Sequence, residues 1–273
     1  MIPPVPSALL SAGAYGLADF AGGLASRRAS VLTVTVVAQA AGLVTLIPGL
    51  WLVGGVFSGS AALSGMLAGL CGVSGLLLYF RGLAVGPMGT VAPLSAVVAA
   101  GLPLLVGILG GERPGPLTVG GMLLALVAIV LATMGSRREA AALRGVLLGL
   151  ASGAGFGLFF VALDGTSADS GLWPLVVGRT TTVALLLLGL AVVRPKGRGD
   201  PRLMVVSGVL DSVANVFFLL ATRAGELGVT SVIVSLYPVA VVLLARAVLR
   251  ERLTAAQLVG VVLALGASVA MAA

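Results

Sequence analysis

Three charged residues stand well within long apolar stretches of this 273-residue sequence, away from their ends: Asp19, Arg179 and Asp211. A charge at bilayer depth is costly and is kept where it binds, relays or pairs, so each is a candidate for function. Arginine offers a planar fork of N–H donors that suits a carboxylate, and a partly desolvated aspartate can exchange a proton. Gln39, Asn215 and Tyr237 add polar side chains within similar stretches, Asn215 one helical turn beyond Asp211 on the same face. At ~1.5 Å per helical residue, Asp19, Gln39, Arg179, Asp211 and Tyr237 all fall roughly 10–18 Å from one membrane face. This layer is the expected substrate-binding or coupling site. The competing reading is structural, with Arg179 paired to a carboxylate so that helices can pack.

The elements that must position these residues follow from composition. Hydrophobic residues make up 59% of the chain and charged residues 9%, with a mean hydropathy of +1.19. Such values exclude a water-soluble surface and define an integral membrane protein. A hydrocarbon core ~30 Å thick needs about 20 apolar residues per helix. Stretches at 8–25, 31–54, 61–84, 87–110, 117–135, 144–163, 171–193, 203–222, 227–248 and 254–272 meet that need. They are continuous rather than alternating, which excludes a β-barrel. The predicted fold is all-α and polytopic, with ten transmembrane helices. Met1-Ile2-Pro3-Pro4 carries no basic residue ahead of the first stretch, so that stretch is expected to be retained and not cleaved as a leader.

Several chemistries are excluded by what the chain lacks. It has no histidine and a single cysteine, Cys71. The commonest metal ligand and general base is therefore missing, no intrachain disulfide is available, and no metal site is expected. No phosphate-binding glycine loop of the Walker type occurs, so ATP does not drive this chain directly. Asp164, Asp169 and Asp200 lie in polar connections and read as turn residues, not as a catalytic cluster. The expectation is a protein that is not an enzyme and needs no cofactor.

The net charge of +7 marks orientation and not nucleic-acid binding. Arg27, Arg28, Arg81, Arg137, Arg138, Arg144, Arg194, Lys196, Arg198, Arg202, Arg246, Arg250 and Arg252 fall in or beside alternate connections, beginning with the first. The opposite connections hold only Arg113 and Arg223. The positive-inside rule places the first set in the cytoplasm and both chain ends outside.

The chain also repeats itself. With Glu112-Arg113 set over Glu251-Arg252, the next helices align without a gap, Gly121 on Gly260, Leu124 on Leu263, Ala125 on Ala264, Leu126 on Leu265, Ala128 on Ala267 and Val130 on Val269. Ala14-Tyr15-Gly16-Leu17 is echoed by Gly155-Phe156-Gly157-Leu158. A repeat displaced by five helices inverts the second copy, which is the plan of carriers whose substrate site lies between the halves. The halves are expected at 1–135 and 144–273, with a basic connecting loop at 136–143. Neither aspartate recurs, the matching positions falling near Gly69 and Phe160.

The segments "AVVLLARAVLRERLTAAQLVGVVLALGASV", "GERPGPLTVGGMLLALVAIVL" and "YGLADFAGGLASRR" resemble the drug/metabolite transporter superfamily, specifically the EamA family with its two five-helix repeats. Glu251, Arg252, Leu253, Thr254, Gln257 and Gly260 carry the resemblance, and the first copy keeps Glu112, Arg113 and Gly121 but has Pro114-Gly115 in place of Leu-Thr. The resemblance implies a carrier that exports amino acids, other metabolites or toxic compounds. It also implies both chain ends in the cytoplasm, against the charge count.

Gly145, Gly149, Gly153 and Gly157 form a ridge at four-residue spacing, with Gly65 and Gly69 a shorter one. Both are expected to admit close helix packing and to let bundles slide. Tyr237-Pro238, Pro93 and Pro103 interrupt apolar stretches where a freed carbonyl could meet a ligand. Each Glu-Arg pair is expected to act as an orientation anchor or gate contact. The expected function is secondary active transport, by alternating access and proton-coupled, exporting a small metabolite such as an amino acid across a bacterial inner membrane. The expected partners are that small molecule, the lipid bilayer, protons and a second copy of the chain, without nucleic acid. A membrane-embedded lipid-modifying enzyme or a non-transporting scaffold is the alternative.

Overall fold

The computed structural model describes residues 4–111, 115–134, 140–164, 166, 168–193, 199–224, 234, 237–251 and 253–272. They form ten α-helices: α1 Pro4–Ser26, α2 Val31–Val53, α3 Gly59–Val85, α4 Met88–Leu109, α5 Pro116–Met134, α6 Ala140–Asp164, α7 Trp173–Val193, α8 Pro201–Ala224, α9 Tyr237–Val248 and α10 Ala255–Ala272. No strand occurs among the described residues. Helix α6 begins at Ala140, so Ala140–Leu143 continue it toward the middle connection. The first part of the ninth expected stretch, along with Glu112, Arg113 and Arg252, lies outside the described residues. Helix α4 runs on through Pro93 and Pro103.

Continuous apolar sequence favours helix in hydrocarbon because the backbone must bond within its own segment. Six of the helices are long and apolar enough to cross a membrane: α1, α2, α3, α6, α7 and α8. The other four carry shorter described apolar segments, Met88–Ala99, Pro116–Ala128, Tyr237–Val248 and Leu258–Ala267. Proline opens α5 and α8, where its missing N–H costs nothing. Ser58 caps α3 by accepting from the Ala61 amide at 3.1 Å, and Asp200 accepts from the Arg202 amide at 2.9 Å at the start of α8.

The molecule is sorted by residue size. Leu9, Leu123, Leu126, Leu188 and Leu243 face outward, and small residues such as Ala68, Ala92, Ala128, Ala214 and Ala264 are buried between helices. Between lipid-immersed helices the attraction comes from close van der Waals fit and interhelical hydrogen bonds. Ser11 and Ser207 of α8's contact with α1 donate to the Ala214 and Ala18 carbonyls at 2.9 and 2.8 Å. Ser212 reaches the Gly42 carbonyl at 2.9 Å, Thr182 reaches that of Gly69 at 3.0 Å, and the Ser95 and Ser152 hydroxyls meet at 2.8 Å.

The helices pair as α1 on α8 and α3 on α6, α4 on α6 and α9 on α1, and α2 on α8 and α7 on α3, with α2–α7, α4–α9 and α5–α10 as further pairs. Exchanging each helix for the one five places away turns every one of these pairs into another or into itself, whereas α4 also packs on α10 with no comparable α5–α9 contact among the described residues. The aligned residues themselves meet: Ala125 and Ala128 of α5 pack with Ala264 and Ala267 of α10 in one buried cluster. The glycine ridge of α6 receives α4, Gly149 lying against Val91, Gly153 against Val98 and Gly157 against Leu102. Gly65 and Gly69 admit the backbone of α7 at Pro174 and Gly178.

The connections sort to two ends. Arg27, after α1, bonds to the α3–α4 turn and to Glu251 after α9; Gly145 near the start of α6 abuts Gly86, and Gly199 before α8 abuts Ala29. These are the arginine-rich connections. At the other end the Val56 amide donates to the Asp169 carbonyl at 2.8 Å and the Trp173 indole to the Gly55 carbonyl at 3.2 Å.

A Cβ on Gly155 would lie 2.6 Å from the Gly75 Cα and 2.7 Å from the Gly75 amide nitrogen, whereas one on Gly120 meets nothing within 4 Å. Gly155→Val is therefore expected to pry α3 from α6 and cost about 1–3 kcal/mol. Thermal unfolding in mild detergent should show a Tm several degrees lower for Gly155→Val and a parental Tm for Gly120→Val.

Candidate functional site

Four of the polar residues expected at depth meet around Arg179. Arg179 projects from α7 between α2 and α8, where its Nη1 donates to Gln39 Oε1 at 3.1 Å. Its Nη2 donates to Asp211 Oδ2 in a close ion pair. The Arg179 side chain is 12% exposed and that of Asp211 30%. Asn215, a turn further along α8, donates to the Asp211 backbone carbonyl at 2.7 Å and approaches the Asp211 carboxylate at 3.4 Å. A buried guanidinium needs such partners, because losing water costs several kcal/mol that only charge pairing and hydrogen bonds recover.

Space for the guanidinium comes from a missing side chain. A Cβ at Gly42 would sit 2.7 Å from both Arg179 Nη1 and Ser212 Oγ. Glycine on α2 is thus what lets α7 send its cation between two helices.

Asp19 of α1 forms a second group. Its Oδ2 accepts a 2.7 Å hydrogen bond from the Tyr79 hydroxyl, and Tyr79, 1% exposed, is held edge-on by Phe156 at 5.7 Å between ring centroids. The Tyr237 ring packs against that of Tyr15 at 6.1 Å. Of the six residues singled out by sequence, Gln39, Arg179, Asp211 and Asn215 meet in one group across α2, α7 and α8, Asp19 of α1 meets Tyr79 of α3, and Tyr237 of α9 meets Tyr15 of α1.

Tyr79, Tyr15 and Gly42 were not visible as site residues in the sequence. A signal for the first two was present, since the chain has only three tyrosines, one bonded to Asp19 and the other two ring to ring; a phenol inside an apolar span needs a partner for its hydroxyl. Gly42 carried no signal, because one glycine among 40 shows its purpose only when its neighbours are known. Asp200 serves as a helix cap.

A separate cluster closes the arginine-rich end. Glu251 Oε1 accepts from Arg27 Nη2 at 2.8 Å and from the Met88 amide at 3.2 Å, and Oε2 accepts from the Gly89 amide at 3.2 Å. The carboxylate thereby caps the first turn of α4 from a distant part of the chain, where amides lack intrahelical partners and the helix dipole favours a negative charge. Arg27 also donates through Nε to the Leu83 carbonyl at 3.1 Å and through Nη2 to that of Gly86 at 3.2 Å, at the end of α3. One ion pair thus joins the turns after α1, α3 and α9. Glu251 of the second Glu-Arg pair is thus held by Arg27.

The model of the EamA-like transporter family matches twice, over residues 3–134 and 143–273. The chain belongs to the EamA-like transporter family and is a multi-pass membrane protein. A crystal structure of another protein superposes with a TM-score of 0.64 at 20% identity, covering 97% of each chain; it supports the fold. Among curated proteins, none matches.

Two outcomes follow from the clusters. Arg179→Ala and Asp211→Ala should each destabilise the protein by about 1–3 kcal/mol, between the extremes for exposed and buried pairs. The double variant should lose less than the sum, which thermal unfolding of all four forms in detergent measures. At the closed end, Thr90 is fully buried beside the Glu251-capped turn. In a Cys71→Ser background, Thr90→Cys should react with a small maleimide roughly fivefold faster once Arg27→Ala removes ~1 kcal/mol of closure.

Proposed function

We propose that this chain is a proton-coupled secondary carrier that exports a small amphoteric metabolite, such as an amino acid, across a bacterial inner membrane by alternating access. In this reading ten helices cross the bilayer, the arginine-rich end faces the cytoplasm, and residues 1–135 and 144–273 are inverted halves joined by 136–143. The exchange symmetry of the helix pairs supports the inverted arrangement, and the charge distribution supports the orientation.

The observation that carries the reading is the composition of the midplane layer: one guanidinium and two carboxyl groups, in a member of a transporter family. Arg179 spends one N–H on Gln39 and one on Asp211, and a guanidinium has five. The remaining donors receive a substrate carboxylate. Asp211 anchors the cation, with Asn215 behind it. Asp19 has one carboxylate oxygen on Tyr79 and presents the other to the ammonium group of the substrate.

Coupling follows from competition at Asp19. A proton and a substrate ammonium group neutralise the same carboxylate, so the site carries one or the other through each half of the cycle. Substrate leaves outward with Asp19 unprotonated, and a proton from outside neutralises the group for the return. The Asp19 carboxylate is paired in both directions, with the ammonium group outward and with a proton on the return, so it never crosses hydrocarbon as an unpaired ion.

The test begins with untargeted mass spectrometry of medium and extract from cells producing the parent chain, Asp211→Asn, Asp19→Asn or neither, at equal membrane abundance. A metabolite that accumulates outside only with the parent chain identifies the substrate class, and in proteoliposomes its flux should respond to an imposed pH gradient. Asp19→Asn should abolish that response. Identical metabolite profiles in all four would remove the carrier reading in favour of a scaffold, and a gradient response surviving in Asp19→Asn would remove Asp19 from the coupling.

A further inference from the structure

Between α3 and α6, at the arginine-rich end, a groove of about 610 Å³ opens on the outer surface of the bundle, lined by Arg81, Val85, Arg144, Leu147, Leu148 and Ala151. Its floor is made by small residues: Gly86 abuts Gly145, and a Cβ on Gly82 would lie 3.4 Å from the Gly145 carbonyl and from the Leu148 Cβ. Because these backbones touch, the longer side chains one position away stand as walls. Arg81 and Val85 are four residues apart on α3, and Arg144, Leu148 and Ala151 follow one stripe of α6, so each wall is a single helix face.

The two arginines differ from Arg27 at the same end. Arg27 is consumed by two carbonyls and a carboxylate. Arg81 and Arg144 are exposed and make neither an ion pair nor a hydrogen bond to protein among the described residues. Two guanidiniums therefore flank one notch with their donors open, and the rest of the notch is apolar, Leu147 being 56% exposed. Water-facing arginines do not need an apolar wall running a further two turns toward midplane, and a soluble anion does not use one. A ligand with an anionic head and a hydrocarbon tail uses both halves of the groove.

We propose that Arg81 and Arg144 bind the phosphate of an anionic phospholipid, whose acyl chain lies along Leu147, Leu148 and Ala151. Both arginines belong to connections of the same end, so the headgroup and the tail fall in one leaflet. Guanidinium and phosphodiester match in planar, multidentate geometry, and basic pockets between transmembrane helices are sites of this kind. The lipid would bridge α3 of the first half and α6 of the second. This assignment does not depend on what the protein transports.

Native mass spectrometry of the full chain, released from mild detergent and titrated with phosphatidylglycerol or phosphatidylcholine, tests it. Phosphatidylglycerol should bind the parent chain more tightly than phosphatidylcholine. Arg81→Gln with Arg144→Gln should weaken phosphatidylglycerol binding roughly ten- to thirtyfold, at ~1 kcal/mol per arginine, while Arg202→Gln with Arg246→Gln at the same end should not. Arg81→Lys with Arg144→Lys, which keeps both charges, should retain most of the binding and shows that loss in the glutamine pair is not misfolding. Inorganic phosphate at millimolar concentration should not compete. Equal binding of the two lipids, unchanged binding in the glutamine pair, or full displacement by inorganic phosphate would each overturn the proposal.

Discussion

A guanidinium in hydrocarbon has to be given its hydrogen bonds by protein, and that demand organises the centre of this molecule. Arg179 sits on α7, and its partners come from α2 and α8. To deliver them, α2 and α8 must approach closely, which Gly42 and Gly208 permit and the Ser212 hydroxyl secures by bonding the Gly42 carbonyl. Glutamine, aspartate, glycine and serine at these positions are separate solutions to one problem, the cost of a buried charge. The same arrangement leaves donors of Arg179 unspent, so the feature that makes the packing tolerable also makes a site.

Small residues do the remaining work of assembly. With leucines directed outward, there is no difference in hydrophobicity between helix and lipid to drive association, and fit decides which helices meet. Glycines on α3 and α6 bring backbones into contact, and polar hydroxyls bridge most of the closest pairs. Such interfaces are smooth along the helix axis, with few interlocking side chains.

The arginine-rich end shows two uses of one residue type. Arg27 is neutralised by Glu251 and by the carbonyls that close α3, and the same glutamate caps α4. Arg81 and Arg144 remain open toward the lipid-facing surface. The distinction is local: Arg27 lies where three turns converge, and the others stand on outward faces of long helices. A count of positive charges treats all of them alike and cannot separate an arginine held by protein from one left open.

Much of the fold was legible in the sequence because membrane insertion depends on composition along the chain. Apolar runs of the right length become helices whatever surrounds them, and the repeat of Gly121 to Val130 in Gly260 to Val269 marked the duplication; in the structure Ala125, Ala128, Ala264 and Ala267 are where the two copies touch. The candidate site was legible as a set of costly residues, since Asp19, Arg179 and Asp211 stand out against an apolar background. What the sequence could not state was partnership. That Arg179 takes Asp211 and not Asp19, that Asp19 turns to Tyr79, and that Glu251 crosses to Arg27 and the start of α4 are decided by helix rotation and by which neighbours come within hydrogen-bonding distance. Those distances depend on side-chain volumes summed across several helices, and no local pattern in one segment contains them.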